Sequence, residues 1–322
     1  MGILRDLLLW LYWYPFRLLI RHIPVRCSYT IARMLSVVYF IFSRGKRRQL
    51  DKEYREVFSD IIFDRDATTV VKKAFSIWLQ NELEVLLFPT MNRYNIGSFV
   101  RYEGMEHLDN ALLSGKGAML LFAHFGANQM IMPAVGYKGY RMSQLSAPPT
   151  VWVEKLPNKK FSPMGKKALE LRWQQELSLP VKHINIFGSL KSAFVALKNN
   201  EVLGIAVDGG GGKNRIEVDF LGKKALFPTG ALELAMRVEC SVLPVFMIRN
   251  DDGTHTMIIE SPLKLLRGHD AEYIQQNVEL FISRFEPYVV KYPCHYLTFL
   301  ALRRFMAEQG DTPFLVAGER KP

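Results

Sequence analysis

The most chemically suggestive residue of this chain is a histidine that closes an apolar run just before a glycine turn. In GAMLLFAHFGANQM, Gly117 to Met130, the segment from Ala118 to Ala123 contains no polar residue and ends at His124. It shows no period-2 alternation, so it reads as a strand buried on both faces of a sheet flanked by helices. His124 then stands at the carboxyl end of that strand, the edge where ligands approach open α/β sheets. Gly126 permits a tight turn, and Asn128, Gln129 and the apolar residues beyond them start a helix that Pro133 should disturb. Positions five apart on a helix point about 140° from each other. For His124 and Gln129 to meet, the histidine must therefore precede the helix, with the glutamine in its first turns. Imidazole exchanges a proton near neutral pH, so a proton-transfer role competes here with that of a hydrogen-bonded core histidine.

A second chemistry-bearing stretch follows another apolar run. VLGIAV, Val202 to Val207, opens into DGGGGKNR, Asp208 to Arg215. Glycines let backbone N–H groups approach an anion closely, and Lys213 and Arg215 add positive charge, which suits a phosphate or a thioester-pantetheine group. The loop lacks P-loop spacing, because no Ser or Thr follows Lys213, and no G-x-G-x-x-G opens a helix after a first strand. The sequence contains no G-x-S-x-G, no H-E-x-x-H, and no histidine or cysteine pair at ligand spacing among its seven histidines. Neither a covalent enzyme intermediate nor a metal or other cofactor is therefore required.

The elements that must position these residues follow from periodicity. Phe99 to Glu103 suggests a strand, Glu106 to Ser114 a short helix, Gln144 and Leu145 part of a further strand, and Ser189 to Asn199 an amphipathic helix. Ser241 to Ile248 and His255 to Glu260 read as a hairpin with Asp251, Asp252 and Gly253 in its turn, and Tyr273 to Pro287 as a helix. The fold class is α/β, with a central mixed, mostly parallel sheet flanked by helices. Between Gln49 and Pro89 apolar residues recur at three- and four-residue steps, as in two packed helices.

The amino terminus differs in character. Apolar blocks from Leu7 to Ile20 and from Tyr29 to Phe42 are interrupted by Pro15, Arg17 and Arg33, so neither cleanly supplies the run of about 20 residues a bilayer core needs. Trp10, Tyr12, Trp13 and Tyr14 favour a headgroup interface, with arginines around them and Arg44, Lys46, Arg47 and Arg48 beyond. This reads as a shallowly inserted membrane anchor, residues 1–48, followed by one catalytic domain, 49–322; the alternative is a pair of core helices. The formal net charge of +11 over 322 residues calls for anionic partners. Basic residues gather around apolar anchors and form no nucleic-acid motif, which argues against nucleic acid. Cys27, Cys240 and Cys294 are far apart and odd in number, fitting a reducing compartment and no disulfide framework.

HFGANQ, the Asp-Gly loop and the continuation IEVDFLGKKALFPTG, Ile216 to Gly230, occur in the order found in the bacterial lipid A late (lauroyl/myristoyl) acyltransferases. From about Phe99 to Phe305 the chain resembles that family, part of the lysophospholipid acyltransferase superfamily, and the resemblance implies a glycerol-3-phosphate acyltransferase-like fold. In the family a strand ends in His, four residues and an Asp or Glu; here the acidic position holds Gln129. The resemblance implies that His124 is the general base toward an acceptor hydroxyl and that residue 129 orients the ring. An amide can still accept from the imidazole but carries no charge to offset an imidazolium. The expectation is a slower reaction, a different acceptor, or a site that has lost its chemistry and serves as a lipid-binding scaffold.

The resemblance extends to binding residues. Lys155 and Asn158, followed by Arg172, are similar to the family's basic segment and would form a cationic wall for lipid or carrier phosphates, or else a solvated helix face. Asp208, Gly209, Gly210, Lys213 and Arg215 match its second signature. Thr229 opens the helical run ALELAMRVE as a cap, plain or facing an anion. The implied activity is acyl transfer from an acyl carrier protein or coenzyme A thioester to a hydroxyl or amine of a lipid or glycolipid acceptor, such as a lipid A precursor. Its implied place is the cytoplasmic face of the inner membrane.

Overall fold

The computed structural model describes residues 2–62, 65–155, 160–209, 214–268 and 271–316. Helix α1 (Gly2–Leu11) passes through a wider turn, Tyr12–Phe16, into α2 (Arg17–His22). That turn contains Pro15, whose missing N–H fits poorly in regular α-helix. Pro24 then separates α2 from α3 (Val25–Phe42), which is followed by α4 (Arg44–Phe58) and α5 (Ala67–Leu87). Asp66 caps α5, accepting from the backbone N–H groups of Thr68 and Thr69 at 3.3 and 2.8 Å. Helix α3 lies along α5 and buries Ser28, Tyr29, Ala32, Ser36 and Phe40. Its opposite face leaves Met34, Leu35, Val37, Val38, Ile41 and Phe42 exposed.

The α/β region begins with α6 (Ile96–Phe99), β1 (Val100–Glu103), α7 (Met105–Leu113), β2 (Ala118–Phe122), α8 (Ile131–Gly136) and β3 (Met142–Ser146). It continues through α9 (Trp152–Lys155), α10 (Pro163–Glu176), β4 (Val181–Asn185), α11 (Lys191–Lys198) and β5 (Val202–Ala206). An antiparallel hairpin of β6 (Arg215–Phe220) and β7 (Lys223–Pro228) precedes α12 (Gly230–Val238), β8 (Ser241–Arg249) and β9 (His255–Ile259). Helices α13 (Ala271–Lys291) and α14 (Leu297–Glu308) close the chain.

Among the described residues the main sheet has seven strands in the order β1-β9-β8-β2-β5-β3-β4. Strands β8, β2, β5, β3 and β4 run parallel, while the β8–β9 hairpin reverses β9 and its parallel neighbour β1. This is the mixed, mostly parallel sheet the sequence implies. Every residue of β2 is buried. Met119 and Leu121 enter the core against α4, α13 and α14, whereas Ala118, Leu120 and Phe122 enter the core against α5, α8 and α10. Two buried faces explain why the strand shows no alternation.

Two local features depart from the sequence reading. Pro133 does not disturb the helix after His124 but lies in the first turn of α8, where its missing N–H costs nothing. Strand β4, a short edge strand of polar and apolar residues, carries too weak a pattern to be read from its letters.

Candidate active site

The position of His124 is fixed by how β2 ends. The Val207 N–H donates to the Phe122 carbonyl at 2.8 Å, after which the chain leaves the sheet. Phe125 is buried among Phe246, Phe285 and His295 and pins the turn. Gly126 follows at φ +61°, and a Cβ there would lie 2.1 Å from the Met247 carbonyl oxygen. Only glycine fits a left-handed position pressed against another backbone. The Gly126 N–H donates to the His295 carbonyl at 3.0 Å and the Ala127 N–H to the Met247 carbonyl at 3.1 Å.

Strand β5 lies beside β2, with Ala206 opposite Phe122. Two residues past each of these stand Asp208 and His124, so the two strand ends deliver a carboxylate and an imidazole to the same spot. Asp208 Oδ1 lies 2.7 Å from His124 Nδ1, and Asp208 Oδ2 accepts the His124 backbone N–H at 2.8 Å. The Tyr296 hydroxyl donates to the same Oδ2 at 2.9 Å. Asp208 is completely buried, and these three donors compensate its desolvation. Burial, then the neighbouring Asp208 charge, push the Tyr296 phenol well above its ordinary pKa, so it remains a donor. A carboxylate only accepts, which places the imidazole proton on Nδ1 and leaves the Nε2 lone pair facing outward. The ring stacks on Phe299 at 4.6 Å with 2° between planes and keeps 42% of its side-chain surface exposed. It is at once fixed, correctly tautomeric for a base, and reachable.

Gln129 does not hold the ring. After the turn, Asn128–Met130 forms a tight 3-10 segment that carries the Gln129 side chain toward α5 and α10. There its Nε2 donates to the Asn81 carbonyl, and its Oε1 accepts from Arg172 Nη2 at 3.4 Å. The orienting partner of His124 is instead Asp208, which the sequence places in the glycine-rich loop as a binding residue. Arg172 is tied to Glu82 at 2.7 Å and Glu176 at 3.3 Å. Burial opposes its charge, but these two carboxylates outweigh that effect and raise its pKa. Its charge is thus neutralised within the fold.

The other predicted binding residues are dispersed. Lys155 is exposed at the end of α9, its Nζ 4.8 Å from the Phe187 ring centre. Thr229 is buried; its hydroxyl donates to Glu233 at 2.6 Å, and it makes no side-chain cap to α12. Arg215 opens β6 with its pKa lowered by burial and by Arg303, against the opposing effect of Asp311. Gly209 adjoins Asp208 with open space where a Cβ would point. Asn158, Gly210 and Lys213 lie outside the described residues. Among the described residues no three His, Cys, Asp or Glu side chains group as a metal site. A cavity of about 540 Å³ lies at the amino ends of β3, β4 and β5, the opposite edge of the sheet from His124.

Tyr296 and Phe299 enter the site without any sequence signal, since their relation to His124 arises from α14 folding back across the sheet edge. The sequence shows only that each of two apolar runs, Ala118–Ala123 and Val202–Val207, is followed directly by a polar residue; that the two runs are neighbouring strands, and so that Asp208 meets His124, is decided by the fold.

A family model described as bacterial lipid A biosynthesis acyltransferase matches residues 1–305. The crystal structure of the 1-acyl-sn-glycerophosphate (LPA) acyltransferase PlsC from Thermotoga maritima aligns over 90% of this chain and 99% of its own, at 16% identity. The TM-score of that alignment is 0.33. No curated protein matches the chain.

Proposed function

The chain belongs to the bacterial lipid A biosynthesis acyltransferase family, matched over residues 1–305, and from that premise we propose that His124, oriented by Asp208, is the general base of lipid acylation. That the chain is an acyltransferase acting in lipid biosynthesis follows from the family; the base, the donor and the membrane seat are the proposal. The His124–Asp208 geometry carries it. Nε2 takes the proton of an acceptor hydroxyl or amine as that atom attacks the thioester carbonyl, forming the new C–O or C–N bond. The C–S bond then breaks, and the imidazolium returns its proton to the leaving thiolate. Asp208 offsets the imidazolium charge during the step. The doubt raised by a neutral Gln129, which motivates the reading as an inactive scaffold, loses its ground once a carboxylate meets the ring from β5.

The donor is a thioester of acyl carrier protein or coenzyme A, and the acceptor a lipid such as a lipid A precursor. The exposed apolar faces of α1 to α3 with their flanking arginines support residues 1–48 as the membrane seat, on the cytoplasmic side of the inner membrane. Purified protein incubated with labelled acyl thioester and membrane lipid extract is expected to yield labelled lipid, and His124→Ala to yield none. Absence of product with the unaltered protein, or equal product from H124A, overturns the proposal.

A further inference from the structure

We propose that Asn81 on α5 is a positioning residue for the reaction, holding the turn that aims His124. The inference rests on the reading of His124 as the base. Asn81 touches this turn from both of its polar ends. Its Nδ2 donates to the Gly126 carbonyl at 2.8 Å, and its own backbone carbonyl accepts from Gln129 Nε2. The turn from Gly126 to Gln129 is therefore fastened to one point of α5 at both of its ends.

The fastening is itself anchored. Asn81 Oδ1 accepts from Arg249 Nη2 at 2.6 Å, and the same nitrogen donates to Glu84 at 2.7 Å, one helical turn further along α5. Glu84 is completely buried and also accepts the Tyr29 hydroxyl at 2.8 Å. His255 Nε2 lies 2.8 Å from the same Glu84 oxygen. The Arg249 N–H donates at 3.1 Å to Nε2 of His295, whose carbonyl accepts from Gly126. Asn81 thus closes a ring of contacts through α5, β8 and the turn. Gly126 is two residues from His124, so displacement of its carbonyl moves the imidazole directly. A misplacement of about 1 Å in a reacting group costs on the order of 100-fold in rate. Gln129 gains a role by the same route: it secures the turn and does not polarise the ring.

The test compares the full-length protein, Asn81→Ala, Asn81→Asp and His124→Ala in detergent, with labelled acyl-CoA and lipid extract. The readouts are kcat, donor KM, thermal melting and the His124 imidazole nitrogen resonances, assigned by difference against H124A. N81A is expected to lower kcat by roughly 10- to 100-fold with donor KM within about twofold and the resonances displaced. N81D, which faces an oxygen to the Gly126 carbonyl while still accepting from Arg249, is expected to lower it further. A folded Asn81 variant with unchanged kcat, or with unmoved resonances, overturns the proposal. Should both Asn81 variants unfold, Gln129→Met removes only the second fastening: displaced resonances support the role, and unmoved ones overturn it. If H124A turns over like the unaltered protein, the base reading fails, and the resonances alone then decide whether Asn81 positions the ring.

Discussion

At residue scale, the proposed mechanism gives Asp208 the part that the resemblance assigns to position 129. Asp208 meets both the ring nitrogen and the backbone N–H of His124, so it fixes the orientation of the imidazole as well as its tautomer. Asp208→Asn preserves the shape but supplies no charge and can donate where it must accept. We expect it to lower kcat by about 10³- to 10⁴-fold, the scale of loss when an orienting carboxylate is neutralised. Gln129→Ala, which leaves the dyad intact, should cost no more than about tenfold. Steady-state rates of both variants, each checked for folding by thermal melting, decide the matter: a larger loss from Q129A would return the orienting role to position 129. The place of His124, at the carboxyl end of a buried strand, was legible from the apolar run before it. Its partner was not, because residues 84 apart in sequence meet only once β2 and β5 are neighbours.

At the scale of elements, the short segment between α13 and α14 brings a histidine into the core. His295 is buried under Arg249 and Phe125, and burial followed by the Arg249 charge lowers its pKa from 6.5 to about 3. The unfolded chain therefore binds a proton near pH 6.5 that the folded chain refuses until about pH 3. Between those values the unfolded state holds more protons, so stability falls as pH falls, by up to about 1.4 kcal/mol per pH unit for one such group. His183, also lowered by burial, acts in the same direction. Glu84 enters lower: burial raises its pKa, but Arg249 and His255 outweigh this and hold it at about 2, so its contribution is lost only as pH falls below the ordinary carboxylate range. Urea midpoints should thus drop between pH 7 and 5. His295→Gln, which still accepts from the Arg249 N–H, should reduce that slope by about one proton; an unchanged slope would exclude His295 as its source. The two hairpin strands β8 and β9 and the short helix α7 were legible from local pattern. The placement of Pro133 and the existence of β4 were not, because a proline is silent in a first turn and an edge strand need not be apolar.

Across the whole molecule, many of the exposed large apolar side chains belong to the amino-terminal helices. Ile3, Leu4, Leu7, Leu8, Leu18 and Leu19 on α1 and α2 are exposed together with the outer stripe of α3, far more than scattered surface residues require. Among the described residues α3 alone is long and apolar enough to cross a membrane by length and composition. Yet its inner face packs on α5 through Tyr29 and Ala32, which favours lying in the interface over spanning it. Val38 and Phe42 are 51% and 80% exposed, so replacing both by aspartate removes little internal packing. Co-sedimentation with anionic vesicles should fall at least about tenfold while the melting temperature changes little. Unchanged vesicle binding would remove α3 from the membrane-facing surface.

The sequence by itself determined several of the strands and helices, β2, β5, β8, β9 and α7 among them, that the amino-terminal end is rich in apolar blocks, and that His124 leaves the sheet at its carboxyl edge. Those properties are local: burial imposes a period on consecutive residues, and a glycine turn declares itself by composition. Which carboxylate reaches the imidazole, where Gln129 points, and why Asn81, Tyr296 and Phe299 matter were decided only in three dimensions. Strand order and the return of α14 across the sheet depend on packing among distant segments, and no spacing along the chain encodes which neighbours that packing selects.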